Sequence, residues 1–193
     1  LISTETGIQQ DAESFASQLG LLNAMREYDL QRIISFHSRI QAAANFSGQL
    51  QEVLGFTHEE YKPEGTITFD HVSGEMPTSE RTKKLKSLGE LQHEDRYLLA
   101  NARCLSEGID LPALDGVAFI DPKRSEVDII QAVGRAMRLS PEKKVGTIVI
   151  PVFIGDTDDP DSVLSTSDFD QVWKIVSALR AHDEQLGEAL DGL

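Results

Sequence analysis

Cysteine occurs once in this chain, as Cys104. A single thiol excludes an intrachain disulfide and fits a reducing, cytoplasmic setting. With five scattered histidines it also offers no metal-ligand spacing, so no metal site is expected. Long apolar runs are missing too. None approaches the roughly 18 residues that a membrane-spanning helix needs, and no membrane partner is expected. Positive charge is scarce: 18 Lys and Arg stand against 32 Asp and Glu, a formal charge of −14. That balance excludes a surface that is basic all over. Any contact with nucleic acid has to be local, through a small basic patch or backbone N–H groups. The opening residues, LISTETGIQQ, carry neither an initiating Met nor a basic-then-apolar signal pattern. Together with the ending DGL, they suggest a piece of a longer protein.

What is present is enough for a real core. With 193 residues, 40% of them hydrophobic, the chain can form one generous domain or one domain with an appendage. Residues 8–28 read as a helix, with Ile8, Phe15, Leu19, Leu22 and Met25 at helical spacing. A rhythm follows. Short β-rich runs at 31–36, 65–72, 95–102, 116–121 and 145–153 alternate with helical or loop-to-helix stretches. The helical stretches begin SRIQAAANF, SGEMPTSE and SEVDIIQAV. Such alternation implies an α/β fold with a mostly parallel sheet covered on both faces. Its functional loops should lie at the carboxyl ends of the strands. Residues 1–30 read as an N-terminal helical extension and 31–154 as the sheet domain. Residues 155–193 read as a polar linker, GDTDDPDS, and a long amphipathic connector helix through Trp173, Val176, Leu179 and Leu186.

The stretch QAVGRAMR, residues 131–138, sits oddly in this pattern. On a helical wheel Gln131, Arg135 and Arg138 share a narrow arc, while Ile129, Ile130, Val133, Ala136 and Met137 fall opposite. The helix should therefore turn a glutamine–arginine stripe away from the sheet. Gly134 lies beside the stripe and removes bulk, letting another surface approach. A solvated face usually mixes in acids at i,i+4, and here there are none. Two planar forks on one face suit an oxyanion, above all a phosphate.

QAVGRAMR resembles the sixth motif of superfamily 2 helicases and translocases, Q-x-x-G-R-x-x-R. The upstream stretch NARCLSEGIDLPALDGVAFID, residues 101–121, resembles their fifth motif. IISFHSRIQAA, residues 33–43, is similar to their fourth. One such motif would be weak, but three in order are not. The resemblance covers roughly residues 30–152. It implies a three-layer RecA-like domain, the second of two motor domains, of the kind found in bacterial helicases and restriction-enzyme motor subunits.

The resemblance also assigns roles. Arg138 is placed as the arginine finger, Arg135 as its companion near the γ-phosphate, and Gln131 as a group orienting water or phosphate. Gly108 would allow close approach to the nucleotide. Asp110 would accept a hydrogen bond from the ribose or pair with the arginines. Ser38, Arg39, Ser73, Gly74, Asn101 and Arg103 would grip one strand's phosphates, DNA more readily than RNA. Lys83 and Lys84, in the basic cluster RTKKLK, would either join them or form a solvated helix face. ATP with Mg²⁺ would be held mainly by an N-terminal RecA-like domain of the same protein. This chain has no G-x-x-x-x-G-K followed by Ser or Thr, and its HDEQ at 182–185 follows no apolar strand. It is expected to be half a motor, inactive alone. The alternative is a non-catalytic RecA-like interaction module in a larger nucleic-acid-processing or restriction–modification protein. Intact Arg135, Arg138 and Asp110 argue against that module, since a scaffold does not need two unpaired arginines. A phosphate-binding metabolic enzyme ranks last, for want of a glycine-rich loop.

Overall fold

The computed structural model describes residues 2–3, 9–10, 12–92, 94–102, 114–121, 129–130, 133–134, 146–152, 159–167 and 169–182. A two-stranded ribbon, β1 (Ile2–Ser3) and β2 (Gln9–Gln10), precedes helix α1 (Ala12–Glu27). Then come β3 (Arg32–His37), α2 (Ile40–Phe56), a 3-10 turn (Glu59–Tyr61), β4 (Ile67–Ser73), α3 (Thr78–Gly89) and β5 (Arg96–Ala102). They are followed by β6 (Gly116–Phe119), β7 (Thr147–Val149), α4 (Pro160–Thr166) and α5 (Asp170–His182). Strands β3 to β7 form a five-stranded sheet in the order β4-β5-β3-β6-β7. Every pairing in it is parallel.

The sequence of β3, RIISFH, explains its central place. Every residue after Arg32 is buried, as a strand covered on both faces requires. Alternation sorts the side chains into two cores. Ile33, Leu98 and Ala118 face Leu21, Leu22 and Met25 of α1 and Phe46, Leu50 and Val53 of α2. Ile34, Phe36, Val72, Leu99, Val117 and Phe119 face the other way, against Leu85 and Leu88 of α3 and Val172 and Val176 of α5. Ile129 and Val133 join this second core. The sheet is thus the middle of three layers.

The amino ends of the strands are clamped by Arg96. Its guanidinium donates to the carbonyls of Leu30 (2.9 Å) and Met25 (3.4 Å) and to the Asp29 carboxylate (2.6 Å). Its Nε donates to Glu64 O at 2.6 Å. Just before β4, Gly65 has φ +81°, and a Cβ there would sit 1.6 Å from the Glu94 carbonyl oxygen. Only glycine can occupy that position.

Several sequence expectations are corrected. The first helix begins at Ala12, since Gln9 and Gln10 pair with Ser3 and Ile2. Its buried line is Gln18, Leu21, Leu22 and Met25, and Leu19 is exposed. Leu19 instead borders an apolar hollow of about 420 Å³ with Phe15, Val53, Phe56 and Tyr61. The expected linker contains α4, because Pro160 sits in its first turn, where no N–H is needed, and the Asp159 carboxylate caps Ser162 N. At α5 the buried line is Val172 and Val176, continued by Phe169 just before the helix, with Trp173 only half-buried. Leu186 lies outside the described residues.

Candidate nucleic-acid interface

Parallel strands bring their carboxyl ends to one edge, and register fixes who meets there. Phe36 of β3 and Val72 of β4 both stand opposite Asn101 of β5, and His37 and Ser73 both stand opposite Ala102. Ser38 and Gly74 are each one residue further on. The structure therefore gathers Ser38, Arg39, Ser73, Gly74 and Asn101 at a single edge. Asn101, Ser73 and Ser38 are buried polar groups, at 1%, 5% and 8% exposure, whereas Arg39 and Gly74 are open to solvent.

Helix α2 starts at this edge. Its N-cap is Arg39, which supplies no side-chain cap, and its first turn contains no acid. The amino-terminal N–H groups of a 17-residue helix are thus free of any competing carboxylate from their own turn. A helix end of this kind favours an anion. Beneath it, His37 is fully buried, its Nε2 3.0 Å from Ser35 Oγ and its ring against Phe46.

One contact at this edge was not foreseen. Ser38 Oγ donates to a carboxylate oxygen of Asp121, just past the end of β6. Asp121 N in turn donates to Phe36 O at 3.3 Å. Asp121 ends the quoted fifth-motif stretch, so the only signal was a carboxylate at a strand end.

The basic cluster divides. Lys84 is a half-buried structural cation, not a free one. Its Nζ lies 2.8 Å from Asp70 Oδ1 and 3.6 Å from Glu80, and it donates to His71 O at 3.1 Å. Asp70 also accepts from the Tyr97 hydroxyl at 3.1 Å. Burial, and then the Asp70 charge and hydrogen bond, push the Tyr97 phenol well above the ordinary tyrosine range. Lys83, one residue earlier, is exposed.

On the nucleotide side, Gln131, Arg135, Arg138, Gly108 and Asp110 lie outside the described residues, as does Arg103. Gly134 is helical and exposed, and among the described residues a Cβ there would meet nothing within 4 Å. That open space fits the approach of a phosphate or of another domain. Ile130, expected to be buried, is 51% exposed one turn before Gly134. The apolar face is therefore narrower than the wheel implied.

The chain is thus a three-layer α/β domain with Ser38, Ser73 and Asn101 collected at the carboxyl ends of a parallel sheet, the edge at which open α/β sheets place their ligands. The chain belongs to the helicase conserved C-terminal domain family, whose pattern matches residues 17–140. It is 31% identical over 93 residues to a helicase-named protein of Sulfolobus islandicus filamentous virus (isolate Iceland/Hveragerdi), covering 48% of this chain and 16% of that protein. A solved ATP-dependent Type ISP restriction-modification enzyme, LlaBIII, bound to DNA, is similar over 94% of this chain and 12% of its own, at 30% identity and a TM-score of 0.75. The C-terminal domain of the DEAD-box protein Dbp5 shares the fold, with a TM-score of 0.52 and 20% identity over 88% of this chain and 92% of that one. The chain thus spans a small part of the viral relative and of the restriction enzyme. The family implies ATP use and contact with nucleic acid.

Proposed function

We propose that this domain is the second motor domain of an ATP-dependent DNA translocase or helicase. The observation that carries the reading is the edge formed by Ser38, Ser73, Gly74 and Asn101 beside the uncapped start of α2. Hydroxyls, an amide and helix N–H groups can follow a phosphate backbone without reading its bases. They do so without a basic surface, as a chain of charge −14 must. The likeness to a DNA-bound restriction enzyme over almost the whole chain favours DNA over RNA.

Arg138 acts as the arginine finger and Arg135 beside it, stabilising charge that accumulates on the transferred phosphoryl oxygens. Gly108, Asp110 and Gln131 complete this side of the nucleotide cleft. The partner is an N-terminal RecA-like domain of the same protein, which holds most of the phosphate and Mg²⁺ contacts. ATP hydrolysis supplies the free energy that shifts the two domains relative to one another. Gly134 leaves the room for that partner to close. Cys104, a lone thiol, suits a cytoplasmic enzyme.

The test is DNA-stimulated ATP turnover by the protein that carries both domains. Arg138→Ala should lower turnover by roughly 10³ while ATP affinity stays within a few-fold. Arg138→Lys should restore little, because a point charge lacks the planar fork. The 193-residue chain alone should hydrolyse no ATP. Undiminished turnover in the alanine variant, or hydrolysis by the isolated chain, would sink the reading.

A further inference from the structure

A hydroxyl has one proton to give. Ser38, which the proposed function places in the phosphate grip, gives that proton to Asp121. A phosphate oxygen is an acceptor only, so it cannot use the Ser38 hydroxyl while Asp121 holds it. Nor is Asp121 easily displaced. Its backbone N–H is tied to Phe36 O and its neighbour Ile120 N donates to the same carbonyl at 3.2 Å, which fixes the end of β6 against the end of β3. A carboxylate in this position also repels the phosphate that would take its place.

We propose that Asp121 competes with a nucleic-acid phosphate for the Ser38 hydroxyl, and so sets how weakly this edge holds the strand. A phosphate arriving at the edge must win the Ser38 proton from Asp121. The hydroxyl then adds little net affinity, since one hydrogen bond replaces another. For a domain that has to release and re-grip a strand at each step, a weak and exchangeable contact is the useful kind. This inference rests on the phosphate-grip reading of Ser38.

The test uses the 193-residue chain and a fluorescein-labelled single-stranded DNA of mixed sequence, read by anisotropy at low salt. Asp121→Asn keeps the shape of the side chain, but its amide can donate to Ser38 Oγ and leave the Ser38 proton for the phosphate. Affinity should rise roughly fivefold, the scale of one hydrogen bond regained. In a Ser38→Ala background the same substitution removes only a nearby charge and should gain about twofold or less. Ser38→Thr, which keeps a hydroxyl, should retain the full gain. An equal gain from Asp121→Asn in both backgrounds would reduce Asp121 to a passing charge and overturn the proposal. Failure of the unaltered chain and every variant to bind the DNA would instead bring down the grip itself, and this inference with it.

Discussion

Lys83 and Lys84 are neighbours in RTKKLK, yet only one is available to a ligand. Lys84 lies against Asp70 with 17% of its side chain exposed, and Asp70 carries the Tyr97 hydroxyl as well. Removing the lysine leaves a half-buried carboxylate short of its cation. Lys84→Ala should therefore cost about 1–2 kcal/mol, seen as a lower urea midpoint. The salt dependence of DNA binding should not change. Lys83→Ala should do the reverse, leaving the midpoint alone and reducing the slope of log K against log salt by up to about one unit. A salt slope that responds to Lys84 and not to Lys83 would reverse these roles. The sequence could not separate the two lysines, because the partner that claims Lys84 lies 14 residues away in a different element. The Ser38–Asp121 contact spans 83 residues and was hidden for the same reason. Helical and strand periodicities report which way a side chain faces. They do not report what stands opposite.

At the scale of elements, periodicity was enough to find the central strands, since each carries a short apolar run, Ile33–Ile34 in β3, Tyr97–Ala100 in β5 and Val117–Phe119 in β6. It was enough for α2 and α3 too. It failed where a residue had two meanings. Asp159 and Pro160 read as loop-formers, yet they are the cap and the first turn of α4. In α1 the apolar residues outnumber the places in the core, so Leu19 fits the wheel but borders the surface hollow. Glycines divide in the same manner. Gly65→Ala would drive a methyl into the Glu94 carbonyl and should destabilise the chain by at least about 2 kcal/mol. Gly134→Ala meets no neighbour among the described residues and should stabilise the isolated chain by about 0.5–1 kcal/mol, as glycine-to-alanine changes in helices do. In the protein carrying both motor domains, Gly134→Ala should nonetheless slow ATP turnover, if the open space serves the partner. Thermal unfolding and steady-state turnover on the same variant separate the two effects. Greater stability with undiminished turnover would show that the space is not used.

Over the whole molecule, the two ends of the sheet are built differently. Polar groups that could serve a ligand gather at the carboxyl ends, while at the amino ends Arg96 knots together Met25, Asp29, Leu30 and Glu64. That knot includes residues expected to form an extension. A protein beginning at Gln31 would lose Leu21, Leu22 and Met25, each at most 1% exposed, and three of the acceptors around Arg96. Burial of three such side chains is worth about 5–9 kcal/mol, comparable to the whole stability of an ordinary domain. Such a protein should bind a hydrophobic dye and unfold without a sharp transition; a cooperative melt close to that of the 193-residue chain would refute this.

The Arg96 knot also bears on how such a domain passes between larger proteins. A gene-level exchange that cut at the first strand of the sheet would leave Arg96 with only the Glu64 carbonyl of its four partners, in a product without the core face of α1. A seam that spares the knot has to lie upstream of α1. Residues 12–30 should therefore travel with the sheet through any history of shuffling, and differ among relatives at the pace of a core rather than of a linker.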